Sequence, residues 1–469
     1  MYNPSSSVAD DFINRQEIID TLEYAKANCK NFALIHAALE KARERGGLTH
    51  REAAVLLACD DKDVENDIFQ LANDIKQEFY GNRIVVFAPL YLSNYCVNGC
   101  VYCPYHAQNK TMERKKLTQD EIAREVTALQ DMGHKRIAVE AGEHPAYNPI
   151  EYIIESLGTI YGVKHRNGAI RRANVNIAAT TVENYKKLRD AGIGTYILFQ
   201  ETYDRESYER LHPAGPKSDY AYHAEAMDRA MEGGVDDVGL GVLFGLGKYQ
   251  YEFTALLMHA EHLEAKFGVG PHTISVPRIK PADGVNPRGF DGISDDVFAK
   301  IIACFRISAP YAGIIISTRE SKECRERVLR LGVSQISGAS RTTIGGYADK
   351  SPNETAQFDV SDNRSLDEIV RWLMRLDYIP SFCTACYREG RTGDRFMQLC
   401  KSKQIQNCCH PNALMTLEEY LEDYAAPPTK SIGENLIMHE IENVPNVKMR
   451  GVVRENLVNI KNGERDFRV

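Results

Sequence analysis

The sequence has no surplus of positive charge. Its 57 lysines and arginines are outnumbered by 65 aspartates and glutamates, which gives a formal net charge of −8 over 469 residues. That balance offers no general attraction for phosphate backbones or anionic lipid, so nucleic acid is not an expected partner. There is also no apolar run near the ~18 residues that span a bilayer. The opening MYNPSSSVADDF lacks a basic segment followed by an apolar one. A cytoplasmic protein without a membrane partner is therefore expected. Internal repeats and low-complexity tracts are missing too. The chain does have 43% hydrophobic residues, enough for a large core and more than one domain, and it has 12 cysteines. Disulfides are rare in reducing compartments, so the spacing of these thiols is the informative feature.

Residues 1–80 carry helical periodicity: Ile18, Ile19 and Leu22, then Leu34, Ile35, Ala38 and Leu39, then Ala53, Ala54, Leu56 and Leu57 behind a capping-box pattern at Thr49. This reads as a helical N-terminal extension. From residue 84 eight short apolar runs alternate with amphipathic stretches: IVVFAPLYL, RIAVEAGE, ANVNIAA, GTYILFQET, DVGLGVLFG, HTISVPRI, GIIISTRE and SQISGAS. Eight strands buried on both faces and separated by helices fit an α/β protein with a (β/α)8 TIM-type barrel over residues 81–345, although an open doubly wound sheet also fits. The polar, glycine-rich stretch from Arg341 and a helix ended by Pro380 make a linker over 346–380. Residues 381–469 hold Cys383, Cys386, Cys400, Cys408 and Cys409 and read as a separate, helical C-terminal unit.

The first strand runs into YCVNGCVYCPY, which places Cys96, Cys100 and Cys103 at C-x3-C-x2-C on the C-terminal side of the barrel, where such folds build active sites. Three thiolates so close can share one metal centre. An iron–sulfur cubane normally takes four, so three leave one iron open. Zinc and three buried thiols are the plainer alternatives. With an aromatic, Tyr102, before the third cysteine, the motif resembles the signature of the radical S-adenosylmethionine superfamily. In that superfamily the open iron holds S-adenosylmethionine for reductive cleavage to a 5′-deoxyadenosyl radical. Ala141, Gly142 and Glu143 resemble the stretch that binds the methionyl ammonium. The resemblance adds Tyr102, Asn176 and Glu201 to the cofactor-binding set. An arginine often expected after the Asp219-Tyr220 pair is here His223, so that contact needs another residue or the imidazole. His106 has no assignable role, and Cys29, Cys59, Cys304 and Cys324 read as small buried hydrophobes.

In the second cluster Cys383, Cys386 and Cys409 stand at C-x2-C-x22-C, with Cys408 adjacent. Chemistry alone leaves a zinc site, completed by Cys400 or His410, beside an iron–sulfur site. Together with FQETYDRESYERLHPAGPKSDY, PHTISVPRIKPADG, ISTRE and SQISGASRTTIGGY, the spacing resembles the tyrosine lyases of [FeFe]-hydrogenase maturation, the HydG type, over nearly the whole chain. The thiamine-pathway tyrosine lyase (2-iminoacetate synthase) is similar through the barrel and lacks the second cluster.

The resemblance implies a lyase that cleaves the Cα–Cβ bond of L-tyrosine to p-cresol and dehydroglycine. It also implies conversion of dehydroglycine to carbon monoxide and cyanide on an auxiliary 4Fe-4S cluster held by Cys383, Cys386 and Cys409. The product is an Fe(CO)2(CN) cysteine synthon for the H-cluster. The first 4Fe-4S cluster, S-adenosylmethionine, a labile iron and free cysteine as an iron ligand complete the cofactor set. A low-potential donor such as a ferredoxin or flavodoxin and the other hydrogenase maturases are the implied partners, and a homodimer is compatible with it. His272 begins the sixth strand and so belongs at the opposite mouth from Cys96, Cys100 and Cys103; in the resembled family a histidine in that context helps hold the labile iron. Arg319, with Ser317, ends the seventh strand on the radical-bearing face. A guanidinium and a hydroxyl suit the tyrosine carboxylate, and an Arg319–Glu320 pair is the structural alternative. Two other functions stay open: a lyase that stops at dehydroglycine, and a non-catalytic iron–sulfur carrier.

Overall fold

The computed structural model describes residues 1–280, 282, 285, 290–349, 355–402 and 404–469. Part of the polar stretch read as a linker, residues 350–354, lies outside them, as do Pro281, Asp283 and Gly284 of the PHTISVPRIKPADG segment. The eight apolar runs become eight parallel strands: β1 (Arg83–Ser93), β2 (Arg136–Ala141), β3 (Arg172–Asn176), β4 (Tyr196–Glu201), β5 (Val238–Val242), β6 (Thr273–Ser275), β7 (Gly313–Ile316) and β8 (Val333–Ser337). Each pairs with the next, and β8 closes on β1 in the register Val85 to Gln335 and Phe87 to Ser337. The sheet is a closed (β/α)8 barrel.

Helices from residue 119 to 329 cover the outside in the usual alternation. Thr118 opens the first, Gln119–Met132, with both bonds of a capping box. Thr49 does the same for His50–Ala58 in the N-terminal region. There the helix Lys62–Tyr80 buries Val64, Ile68, Leu71, Ala72, Ile75 and Phe79 along one face, the spacing of an amphipathic helix, before Gly81 turns the chain into β1. Cys59, Cys304 and Cys324 are buried as expected, whereas Cys29 is half-exposed at a helix end, its thiol donating to the Lys26 carbonyl.

The helix preceding Pro380 ends earlier than its sequence suggests, at Arg375. Pro380 instead sits inside a ninth strand, β9 (Ile379–Ser381), parallel to the first residues of β1 in the register Arg83 to Ile379 and Val85 to Ser381. A proline that donates no ladder bond is tolerated on such a short, outermost strand. This pairing decides the architecture of the second site, because β9 delivers Cys383 directly beneath the N-terminal mouth of the barrel. The helices Gln406–Asp423, Pro427–Glu440 and Val447–Lys461 then pack behind it. Among the described residues no helix is long and apolar enough to cross a membrane.

Candidate active site

At the C-terminal mouth the barrel opens into a cavity of about 240 Å³ lined by Cys96, Cys100, Cys103, Tyr102, Ala141, Gly142, Glu143, Asn176, Glu201, Ser317 and Arg319 among others. All the residues assigned from sequence to the first cluster, to S-adenosylmethionine and to the tyrosine carboxylate thus line one cavity. The cysteine loop is held from two sides. From β2, Val97 donates to the Glu143 carbonyl (2.8 Å) and Gly142 donates to the Ser93 carbonyl (3.0 Å). A Cβ on Gly142 would lie 2.5 Å from the Tyr95 carbonyl oxygen, so glycine is required for the strand end to meet the loop. From the LHPAGPK segment, Ala214 and Leu211 accept from Gly99 (2.8 Å) and Val101 (3.0 Å). The Tyr102 hydroxyl and His212 Nε2 lie 2.7 Å apart, and burial pushes that histidine down to about 3, so it is neutral.

The thiols themselves fit metal ligation. Burial pushes Cys100 up to about 12 and raises Cys103 further, so as free thiols both stay protonated near neutrality. Only a bound cationic centre would hold them as thiolates, and soft sulfur donors suit iron–sulfur chemistry or zinc. Beside them Asn98 Nδ2 donates to the Glu143 carboxylate (2.6 Å) while Asn98 Oδ1 accepts from the Lys217 backbone (2.9 Å). That fixes Glu143 in the cavity wall, where its carboxylate can take an ammonium.

The opposite wall is cationic. Arg319 lies over the Phe358 ring (3.5 Å to the centroid). Ser317 Oγ accepts from the Arg319 backbone (3.3 Å). Glu320, its sequence neighbour, is taken by Arg278 and lies 3.8 Å from Lys280. Arg319 therefore has its guanidinium free for a carboxylate among the described residues. His223 is buried in the same cavity with Nε2 donating to the Phe199 carbonyl (2.9 Å), and burial lowers its pKa well below the usual range. It is a neutral imidazole. The charge near it comes from Lys217, whose Nζ pairs with Glu201 (3.0 Å). Glu201 itself sits at φ +69°, a left-handed conformation that costs strain in a non-glycine residue and collects at functional sites. His106 turns instead to Gln108 (3.3 Å).

Two residues here escape a reading of the sequence. Lys217 lies in the short 3-10 turn Pro216–Ser218, inside the FQETYDRESYERLHPAGPKSDY segment, where nothing in the sequence singles it out from its neighbours. Glu140, in an apolar strand, lines the cavity near Asn176; burial pushes its carboxyl up to about 8. The signal for Glu140 is its register: two residues from Ala138, it shares the inner face of β2.

At the N-terminal mouth a second cavity, about 70 Å³, is lined by Cys383, Cys386, Cys409, His272, Asp237, Arg83, Arg136, Arg172 and Arg391 among others. The Cys386 and Cys409 sulfurs are 3.8 Å apart. Cys408 brings a third sulfur within 4.8 Å of both, yet it does not line the cavity. Adjacent residues on the helix Gln406–Asp423 point about 100° apart, so Cys409 faces in while the Cys408 thiol turns to the Ile405 carbonyl (3.4 Å). Cys400 is buried outside the lining, and His410 is bonded to the Glu440 carbonyl (3.1 Å). His272 is held neutral, pushed down to about 4 by burial. Its Nδ1 is 3.5 Å from Asp237, too long for a well-formed bond. A neutral imidazole beside thiols is a donor set that fits a metal centre, although the sulfurs within 4.8 Å of one another are those of Cys386, Cys408 and Cys409, with Cys383 in the lining outside that group.

The same strands serve both cavities. Arg136 and Ala138 on β2, and Gln335 and Ser337 on β8, line the lower and upper cavity in turn, one pleat repeat apart. The intervening layer is small: a Cβ on Gly239 would lie 2.5 Å from Thr273 Oγ1, and one on Gly313 would lie 2.7 Å from the Gln335 amide nitrogen. Barrels of this class more often fill that layer with Val, Ile and Leu.

Comparison with known proteins gives a consistent result. Residues 90–257 match the radical SAM superfamily, and residues 275–379 match the biotin and thiamin synthesis associated domain. The 2-iminoacetate synthase of Escherichia coli is 31% identical over 330 residues, 70% of this chain and 85% of its own length. The 3-methylornithine synthase of Methanosarcina barkeri is 26% identical over 58% of this chain and 73% of its own. Among solved structures, a HydG maturase of the [FeFe]-hydrogenase superposes with a TM-score of 0.95 at 55% identity, covering 98% of this chain and 100% of that one. HydG from Carboxydothermus hydrogenoformans superposes with a TM-score of 0.84 at 39% identity, covering 96% and 100%.

Proposed function

The chain belongs to the HydG-type maturases of the radical S-adenosylmethionine superfamily, relatives of 2-iminoacetate synthase, and from that premise we propose a two-site lyase that cleaves L-tyrosine at one mouth of the barrel and works on the fragment at the other. The first half yields p-cresol and dehydroglycine by breaking the Cα–Cβ bond. The second turns dehydroglycine into carbon monoxide and cyanide, delivered as an iron–cysteine synthon for the hydrogenase. When bound, the first cluster with S-adenosylmethionine supplies a 5′-deoxyadenosyl radical, and the auxiliary cluster supplies the iron used in the second half.

This chain's residues divide the remaining work. Cys96, Cys100 and Cys103 would hold the first cluster and leave one iron open. Glu143, fixed by Asn98, takes the methionyl ammonium, while Tyr102, Asn176 and Glu201 wall the nucleoside. Arg319 and Ser317 orient the tyrosine carboxylate, which sets the amino group toward the radical carbon. Cys383, Cys386 and Cys409 would hold the auxiliary cluster, and His272 offers a neutral nitrogen to the labile iron. Gly239 and Gly313 keep two side chains out of the layer between the cavities, which the two-carbon fragment would have to cross.

What supports this reading above all is that two thiol-lined cavities stand at opposite ends of the same strands. The test is one anaerobic incubation of iron-loaded protein with S-adenosylmethionine, L-tyrosine and dithionite, reading carbon monoxide by its uptake on deoxyhaemoglobin and p-cresol by chromatography. Both products are expected. Iron-loaded protein that made p-cresol without carbon monoxide would be a thiamine-type lyase, and protein that cleaved no S-adenosylmethionine would be a cluster carrier.

A further inference from the structure

The second cavity has more cations than its carboxylates can balance. Arg83, Arg136, Arg172 and Arg391 line it, with Asp237 as the carboxylate among them. Three of the four guanidiniums are engaged. Arg83 Nε donates to the Tyr80 carbonyl (3.0 Å), and Arg391 donates to the Val469 carbonyl (2.8 Å). Arg172 donates to Asn174 (3.1 Å), Thr195 (2.8 Å) and Asp237 (3.3 Å). Asp237 is further occupied by the Gly393 backbone (3.1 Å).

Arg136 differs. It is 5% exposed, its Nε is buried without a hydrogen-bond partner, and no carboxylate lies within ion-pair distance of it among the described residues. A buried cation left unpaired costs several kcal/mol, so a native fold retains one where a partner arrives from outside. The thiols reach both guanidiniums: when ionised, Cys383 and Cys386 act to raise Arg136 as they raise Arg83, but at Arg136 burial and the neighbouring Arg172 outweigh them.

Its place on β2 points to the source of the missing anion. Arg136 starts the strand whose next inward residues, Ala138 and Glu140, line the first cavity. It is therefore the cation met on leaving the small middle layer. A planar guanidinium matches a carboxylate with two parallel hydrogen bonds. The lower cavity, less than a third the volume of the upper one, admits few atoms.

We propose that Arg136 is the carboxylate anchor of the second cavity, binding the two-carbon imino acid released by tyrosine cleavage and presenting its other end to the cysteines and His272. The assignment deepens the two-site reading and rests on it. Arg136 touches the substrate's carboxylate and takes no part in bond breaking. Dehydroglycine that is not held there is lost to water, which adds across its C=N bond and releases glyoxylate and ammonia.

The experiment uses holoenzyme carrying both clusters, without S-adenosylmethionine and saturated with L-tyrosine so that the upper cavity is filled. Oxamate, a planar two-carbon carboxylate, is the calorimetric probe. Arg136→Gln should weaken oxamate binding about ten- to hundredfold and Arg136→Lys by less, the range expected for charge-assisted bonds to a carboxylate. Under turnover, Arg136→Gln should keep p-cresol formation, lower carbon monoxide and raise glyoxylate. Oxamate binding unchanged in Arg136→Gln would overturn the proposal. So would a variant that binds oxamate normally but has lost auxiliary-cluster iron, because Arg136 would then be a counter-ion of the cluster. The two readings separate cleanly: p-cresol reports tyrosine cleavage, and oxamate reports Arg136 whether or not p-cresol forms.

Discussion

Arg319 and Glu140 both line the upper cavity, one as a free guanidinium and the other as a carboxyl whose proton is held by burial. The guanidinium, stacked on Phe358 and released from Glu320 by Arg278, is presented as a bidentate donor. Arg319→Lys keeps the charge and loses the fork. KM for tyrosine should then rise about tenfold with a smaller change in kcat, measured by p-cresol formation. Glu140 is a buried acid whose carboxyl is raised from the usual carboxylate range to about 8. The folded chain therefore holds a proton that the unfolded chain has released above about pH 4.5. Stability contributed by that proton is fully present below the unfolded pKa and falls as pH rises toward 8, with a slope of at most about 1.4 kcal/mol per pH unit. Glu140→Gln should flatten the stability profile of the protein between pH 5 and 8. A chemical-denaturation series over that range checks it, and an unchanged slope would place the titration elsewhere.

At the scale of elements, the layer between the cavities is the sensitive one. Gly239 has no room for a side chain, since its Cβ would meet Thr273 and Ile197. Gly239→Val would fill the middle of the barrel without touching either set of cysteines. Carbon monoxide should drop by about tenfold or more while p-cresol stays within a few-fold of the parent, with retained clusters checked by iron and sulfide content. The eight strands were legible because strands buried on both faces read as apolar runs, and the two cysteine motifs because their spacing is chemically narrow. β9 was not legible, since three residues around Pro380 look like the end of a helix and become a strand only by pairing with β1. Arg136 and Glu140 were missed for a related reason. A charged residue at either end of a strand looks solvent-facing in sequence, and only the closure of the barrel turns both toward the interior. Cys408 and Cys409 could not be ranked without the phase of the helix that carries them.

For the whole molecule, the separation of the two thiol sets predicts separable defects. Cys96→Ser should abolish p-cresol and, with it, everything downstream. Cys386→Ser should leave p-cresol within a few-fold of the parent and suppress the iron synthon, because the altered thiol lies at the far mouth. Loss of tyrosine cleavage in Cys386→Ser would show that the two ends do not act separately. The pairing of β9 with β1 has a further consequence, for modularity. The C-terminal unit supplies the three lower thiols, yet His272, Asp237, Arg136 and Arg172 of the same cavity are strand-start residues of the barrel. The second centre is thus not a transferable cassette. Fusing residues 381–469 to another barrel would carry over the sulfurs without this chain's imidazole and guanidiniums, so the proposed second reaction draws on the barrel's floor as well as on the C-terminal unit.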